Sequence, residues 1–576
     1  MKKYTLHDVR DVKNLKELLN QSASLFGDKP AFNIKNENGD FKDINYSQFK
    51  DDVDSFGTQL LNLGLKDKCI AVISENRYEW CVTYLATVGG TGVIVPIDRE
   101  LPDNEIENIL NRCNADAIVY SQKYNERMKN LFKKSCSIKY YINMDADQDK
   151  EFCLSFSQLL NKGRDMVERG NRDFIEAQID NNSLAALLFT SGTTGLAKGV
   201  MLSNKNICSN IVAICSTVLV DTNDHSLSIL PLHHTYECTI GFLLFIYSGA
   251  TISFNEGLKH IAKNFKEVRP TVLIAVPLIV ENLYKKIWMQ AGKTKFGKLK
   301  LRLALFITTF LNCVFHIDIR KTVFKQIHES VGGRLRLIIT GAAAIDPEIS
   351  KGFRKMGVRV LQGYGLTECS PLVTGNSDFI CKDNSVGKVL PGAEVKIDRP
   401  DENGIGEILT KGQNVMLGYY KDVVSTGKSI IDGWFHTGDL GKIDKAGYVY
   451  ITGRIKNIII IKNGKNVYPE ELEASINKNP CVQESIVSGD LDESTGEMHI
   501  HAHILPNLDY IKDKFKGANL SKDELSKLFS DIIKNINKEL PLYRRIRKFT
   551  LRDNEFIKTT TQKIKRYGQK DTKIQI

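Results

Sequence analysis

The sequence predicts an α/β protein in which a large domain of several β-sheets and helices is followed by a small α+β domain. Three observations predict it. Short apolar runs alternate with helix-like stretches through the first part of the chain, as strands alternate with helices in α/β folds. The pattern changes after Arg454. The chain also has 576 residues, 42% of them hydrophobic, enough for one large core and at least one smaller domain.

Taken in order, Tyr46 to Leu63 reads as a helix, and CIAVIS from Cys69, VIVPI from Val93 and AIVYS from Ala117 read as strands. Residues 145 to 178 are polar and are expected to form an irregular surface excursion. TVLIAVP from Thr271 and RLIITG from Arg336 are further strands ending in small or turn-forming residues, where a ligand crevice commonly opens. The large domain is expected to span residues 1–453. Residues 454–576 then carry an apolar run at Ile458, a helix from Pro469, strands near Ile486 and His499, and a helix from Ser521 to Glu539, in a segment of ordinary domain size.

Composition excludes several classes. Lys and Arg number 79 against 68 Asp and Glu, a net charge of +11, which suits polyanionic small molecules without demanding nucleic acid. The twelve cysteines show no CxxC pair, so neither a zinc site nor a disulfide framework is expected, and the compartment is expected to be reducing. The first residues, MKKYTLHDVRDVKNLKELL, lack the apolar stretch of a signal peptide, so the expected location is cytoplasmic. The most apolar window, Leu303 to Ile317, is shorter than the ~20 residues that span a bilayer. It is expected to be a core or acyl-tunnel helix, the alternative being peripheral attachment to a membrane through its basic flanks. His499, His501 and His503 alternate on one face of a strand and are read as a polar face, not a metal site.

The strongest local signal is LLFTSGTTGLAKGVMLSN, Leu187 to Asn204. An apolar strand runs into Thr190, Ser191, Gly192, Thr193, Thr194 and Gly195, with Lys198 and Gly199 following. Glycines let backbone N–H groups approach phosphate oxygens, hydroxyls add donors, and a lysine neutralises charge. The spacing is not that of a Walker loop. Downstream, LQGYGLTECSP offers Tyr364 as a plane able to stack on adenine and Glu368 as a carboxylate for Mg²⁺, with Gly363 and Gly365 expected to expose backbone beside them. Asp439, in HTGDLG, can accept from two ribose hydroxyls. Small residues at Gly341, Ala342 and Ala343 can let flat ligand groups approach the main chain.

TSGTTGLAKG resembles the signature of the adenylate-forming superfamily: acyl-CoA synthetases, peptide-synthetase adenylation domains and luciferases. LPLHHTYE from Leu230, LQGYGLTECSP, WFHTGDLG from Trp434, GRIKNIIIIKNGKNVYPEELE from Gly453 and KTTTQKIKRYG from Lys558 resemble that family's later motifs in its own order. Together they cover nearly the whole chain. The LHHTYE element and the KTTTQKIKRY ending are most similar to those of bacterial long-chain fatty-acid synthetases.

The resemblance implies an ATP-dependent enzyme that forms an acyl-adenylate, releases pyrophosphate, and passes the acyl group to coenzyme A. It implies that Gln362 to Gly365 and Gly341 to Ala343 line the adenine site, that Thr367 lies near the α-phosphate or the substrate carboxylate, and that Glu368 and Thr193 hold Mg²⁺. It places Asp439 and Arg454 at the ribose and His234 near the acyl and phosphate groups. Lys563 is the expected catalytic lysine of adenylation, bridging two anions that must meet; Lys558 and Lys565 are its neighbours, and Gln562 stands where a glycine often precedes it. The small domain is expected to swing about a hinge near Lys456, where the family often has aspartate, and to bring the Lys462 to Val467 loop with Gly464 beside coenzyme A. Two other readings follow from the same motifs: an enzyme that loads a carrier-protein phosphopantetheine, and a silent relative that binds nucleotide or acyl chains. Acyl length and oligomeric state leave no local signature.

Overall fold

The computed structural model describes residues 5–36, 38–134, 138–190, 197–294, 296–461, 466–492, 497–515, 520–558 and 564–566. The chain forms two compact units, one of residues 1–394 and 410–435, the other of residues 395–409 and 436–576.

The first unit is built on two large sheets. An eight-stranded sheet runs, edge to edge, Gly418–Tyr419, Lys198–Ser203, Leu184–Thr190, Gly92–Pro96, Lys68–Ile73, Ala115–Tyr120, Tyr140–Asn143 and Leu154–Ser155. The runs predicted from Cys69, Val93 and Ala117 are its parallel centre, with Ala71 opposite Val95 and Ile118. Both faces of such a sheet are covered, which is why these strands read as continuous apolar runs.

A nine-stranded sheet runs Lys388–Val389, Leu372–Gly375, Arg359–Gly365, Leu337–Thr340, Val272–Ala275, His225–Ser228, Thr251–Phe254, Pro30–Lys35 and Phe41–Asn45. Its middle is parallel: Ile274 pairs with Ile339 and Thr340 with Gln362. The strands therefore present their carboxyl ends along one edge, the usual ligand crevice of an open α/β sheet. Phe32 on this sheet stacks edge-on against Phe49 and Tyr78, whose helices are Tyr46–Asn62 and Tyr78–Ala86. All three rings are buried.

Residues 145–178 are not an irregular excursion. They contain the helix Phe156–Glu168, which Ser155 caps by accepting from the Gln158 N–H. Phe156, Leu159 and Phe174 are buried. The helix lies so close to Tyr46–Asn62 that a Cβ on Gly163 would fall 1.9 Å from the Ser55 carbonyl oxygen. Charged residues on its outer face disguise this apolar stripe in the sequence.

In the second unit a three-stranded sheet joins Val482–Asp492, Glu497–Pro506 and Lys548–Leu551, the first pair antiparallel and the second parallel. The helices Pro469–Asn477 and Lys522–Lys538 cover it, and Leu472, Ile476 and Phe529 join its core. Ser521 and Glu524 form a reciprocal cap at the start of the second helix. A five-stranded sheet, most of whose residues lie in this unit, includes Gly406–Gly412, Trp434–Ile443 and Val449–Arg454.

The histidine strand departs from the expected polar face. His501 is buried, with Nδ1 2.5 Å from Asp490 and Nε2 2.8 Å from the Thr550 hydroxyl. It thereby ties all three strands together. Asp490, His501 and His503 lie close enough to share an ion, yet both ring nitrogens of His501 already have protein partners. Among the described residues no helix is long and apolar enough to cross a membrane.

Candidate active site

Segments that sequence separates by about 140 residues meet along the edge of the nine-stranded sheet. Ser228 leads into the 230–234 turn, Thr340 into Gly341, and the Arg359–Gly365 strand into Leu366 and the short turn Thr367–Cys369. Asn76 fixes the first of these: its Nδ2 donates to the Ser228 hydroxyl and the Leu230 carbonyl, and its Oδ1 accepts from the Leu232 N–H. His234 begins the helical segment that follows, its carbonyl accepting from the Cys238 N–H.

Tyr236 joins that segment to the next two. Its hydroxyl donates to the carbonyls of Ile339 and Ala275 at 3.0 and 3.3 Å, and its ring lies 3.4 Å from where a Cβ on Gly341 would stand. Gly341 thus lies against the tyrosine ring at van der Waals distance. Ala342 follows with φ of +71°, a strained setting for a residue with a side chain, and such strain is characteristic of ligand sites. Ala343 is exposed beside it.

Gly363 and Gly365 do not serve to bare the backbone. Their strand folds back on Leu372–Gly375 as an antiparallel pair, and a Cβ on Gly365 would sit 2.1 Å from the Pro371 carbonyl oxygen while one on Gly363 would meet the Leu372 side chain at 2.8 Å. The glycines make room for a hairpin, and that hairpin holds Tyr364 and Glu368 in place. The Gln362 carbonyl accepts from Asn376, and the Glu368 carbonyl from the Met416 N–H at 2.8 Å.

The strands that flank the glycine-rich segment, Leu184–Thr190 and Lys198–Ser203, pair antiparallel. Thr190 and Lys198 face each other at the ends of two antiparallel strands, and the Thr190 hydroxyl lies 3.4 Å from the Lys198 carbonyl. Ser191, Gly192, Thr193, Thr194 and Gly195 lie outside the described residues, as do Lys462, Gly464 and Lys563. Beside Lys198–Ser203 runs Gly418–Tyr419, with Tyr419 paired to Val200. The Lys198 ammonium stands 4.5 Å from the centre of the Tyr419 ring, and the Tyr419 hydroxyl donates to Glu368 at 3.0 Å. Burial, then the neighbouring Glu368 charge, raises the Tyr419 pKa and keeps the phenol a donor. A cation from one motif and a carboxylate from another are so held on two sides of one aromatic ring. Tyr419 carried no sequence signal beyond the GYY that ends its strand.

An ammonium and a carboxylate gathered on one ring are groups that can bind phosphate and metal, and comparison with known proteins shows the family. A family model described as AMP-binding enzyme matches residues 19–420, and one described as AMP-binding enzyme C-terminal domain matches residues 456–568. The chain belongs to the AMP-binding enzyme family. It is 31% identical over 522 residues to long-chain-fatty-acid–CoA ligase 5 of Rattus norvegicus, covering 84% of this chain and 74% of that one. It is 26% identical to the chloroplastic long-chain-fatty-acid–[acyl-carrier-protein] ligase AEE15 of Arabidopsis thaliana, over 93% of this chain and 80% of that one. Among solved structures, ATP-bound MatB from Rhodopseudomonas palustris superposes with a TM-score of 0.71 at 25% identity, over 95% of this chain and 97% of that one.

Within this AMP-binding enzyme the His233 and His234 rings lie tilted against each other with centres 4.3 Å apart, and His233 lies 3.5 Å from Asp98. Asp98, His233 and His234 could share an ion. Glu237, one turn on, is fully buried; one carboxyl oxygen accepts from the Ser228 hydroxyl at 2.5 Å and the other has no hydrogen-bond partner among the described residues. Burial pushes its pKa up to about 8, so below that pH it is a neutral acid. In the second unit Asp439 and Arg454 are cross-strand neighbours, Arg454 Nε donating to the buried Asp439 carboxylate at 2.7 Å. Lys456 sits in the short turn Ile455–Asn457. Lys558 is held by Glu484 at 2.6 Å, and both side chains are largely buried.

Proposed function

We infer that the protein is an ATP-dependent acyl-CoA synthetase that activates a fatty acid. The observation that carries this is the cluster of Lys198, Tyr419 and Glu368, which brings a phosphate-neutralising cation beside a metal-suited carboxylate in a chain whose two family matches span both units. Curated relatives named for long-chain fatty acid ligation point to the acid.

The reaction has two halves. A carboxylate oxygen of the acid attacks the α-phosphorus of ATP, the bond to the bridging oxygen breaks, and pyrophosphate leaves. The thiol of coenzyme A then attacks the acyl carbon, loses its proton, and expels AMP. Lys198, with the backbone and hydroxyls of Thr190 to Gly195, takes the phosphates, while Tyr364 stacks on adenine beside Gln362, Gly363, Gly365, Gly341, Ala342 and Ala343. Thr367 orients the reacting oxygens, and His234 closes the acyl side. Asp439 and Arg454 hold the ribose. Their mutual ion pair aims the carboxylate, ready to accept from vicinal hydroxyls.

Glu368 presents hard carboxylate oxygens, one of which accepts from the Tyr419 hydroxyl, and oxygen donors of this kind fit magnesium rather than a softer ion. With Thr193 it would hold magnesium, which when bound lowers the charge repulsion between phosphate and carboxylate. Lys563 bridges the two anions in the first half-reaction. The engagement of Lys558 by Glu484 favours Lys563 over that neighbour. Since thioester formation needs the space Lys563 fills, the segment from 454 onward turns about Lys456 and brings Lys462 and Gly464 to the thiol.

Lys563→Ala is expected to abolish acid-dependent pyrophosphate release while largely sparing thioester formation from supplied acyl-AMP. Unchanged rates in both assays would remove Lys563 from the mechanism. Coenzyme A against holo acyl carrier protein as acceptor, with acids from acetate to long-chain fatty acids, fixes the acceptor and the chain length. Greater turnover with the carrier protein would displace coenzyme A from this reading.

A further inference from the structure

The helix Gly297–Phe315 has an outward face that a soluble protein does not normally show. Leu301, Leu305 and Thr308 are buried and pack it against the first unit. At 100° per residue the side opposite them carries Leu299, Leu303, Phe306, Ile307, Phe310 and Val314. The 4-3-4-4 spacing of five of them is that of a continuous stripe. These residues are exposed: 57% for Leu303, 70% for Phe306 and 50% for Phe310. A surface helix ordinarily turns charged residues outward, and one that is apolar all round is ordinarily buried. This one is not polar outside and no described residue covers it, so the core or tunnel role expected for Leu303 to Ile317 does not describe its outer side.

What could cover it is limited by charge. From residue 282 to 317 the chain has seven lysines and arginines and no aspartate or glutamate. Lys285, Lys286, Lys293, Lys298, Lys300 and Arg302 are all exposed. A second copy of this chain seated on the stripe would bring two such cationic segments together, which like-charge repulsion opposes. An anionic lipid surface meets both features at once, taking the apolar stripe into its acyl boundary and pairing the cations with its headgroups. The helix is too short and too charged at its start to cross the bilayer.

We propose that Gly297–Phe315 is a membrane-docking helix, which lies in the plane of an anionic phospholipid surface with Leu303, Phe306 and Phe310 inserted and with Lys298, Lys300 and Arg302 at the headgroups. Docking of this kind places an enzyme where water-insoluble acids partition.

The test is flotation of the full-length protein with vesicles of phosphatidylcholine, with and without phosphatidylglycerol. The protein is expected to float with the anionic vesicles and to be released by high salt. Phe306→Ser combined with Phe310→Ser should weaken partitioning by roughly tenfold or more. Lys298→Gln with Lys300→Gln and Arg302→Gln should weaken it by roughly 100-fold, at about fivefold for each cation. Phe310→Trp should be quenched by brominated lipid more strongly than the parent, which reads the position of the helix directly. Because all these changes are at exposed positions, melting temperatures should match the parent's. Equal flotation of parent and both multiple variants overturns the proposal, as does fluorescence of Phe310→Trp that brominated lipid quenches no more than the parent's. So does a dimer in sedimentation that Phe306→Ser with Phe310→Ser dissociates without any vesicle uptake. The measurement uses no acid, nucleotide or thiol, so its failure would leave the enzymatic reading untouched.

Discussion

Tyr419 illustrates how much one side chain can organise. Its ring faces the Lys198 ammonium and its hydroxyl reaches Glu368, so Tyr419→Phe separates the two contributions. Loss of the hydroxyl alone should lower acid-dependent pyrophosphate release by roughly tenfold, the value of one hydrogen bond to a charged group, whereas Tyr419→Ala should cost considerably more. Equal activity in both variants and the parent would show that the ring and hydroxyl are idle. Glu237 gives a prediction in pH. Its pKa is raised by burial from 4.5 to about 8 in the folded protein. Between those values the unfolded chain ionises while the folded one keeps its proton, so this residue makes stability fall as pH rises from 4.5 to 8, with the loss complete above. The melting temperature of Glu237→Gln relative to the parent should therefore move in the variant's favour across that window and then stop moving. A difference that is constant with pH would rule the mechanism out.

At the scale of elements, the glycines that matter are those where two segments touch. Gly163 lies against the Ser55 carbonyl where two helices cross. Even Ala at 163 must push the helices apart, and overpacking of this sort costs about 1–3 kcal/mol; denaturant unfolding of Gly163→Ala would show the loss as a lower midpoint. The sequence announces strands better than it announces such contacts. CIAVIS, VIVPI and AIVYS are legible because buried parallel strands are apolar on both faces. The helix Phe156–Glu168 is not, since its few packing residues are diluted by lysine, arginine and aspartate on the solvent side. The site shows the same division. Thr190, Lys198, Tyr364 and Glu368 stand in local motifs that announce a chemistry, but Tyr419 reaches them through pairing between strands over two hundred residues apart in the chain, and register of that kind has no local signature. The apolar window at 303–317 was visible too, whereas which of its sides faces outward depends on what Leu301, Leu305 and Thr308 pack against.

For the molecule as a whole, the two units have separate cores, one around the eight- and nine-stranded sheets and one around Phe529, Leu472 and Ile504. Calorimetry should accordingly resolve two transitions. Phe529→Ala removes a fully buried ring and should cost its own unit roughly 3–5 kcal/mol, lowering one transition and leaving the other in place; a uniform shift of both would mean that the units unfold as one.

The parallel strands of the nine-stranded sheet also separate what must stay fixed from what is free to vary. Pairing of Ile274 with Ile339 and of Thr340 with Gln362 sets the frame without help from the connections that leave its carboxyl edge. Those connections can therefore be rewritten while the frame is inherited unchanged. A protein engineer could do the same by grafting the 229–235 turn from a homologue with another preference, and would look for altered selectivity at undiminished expression.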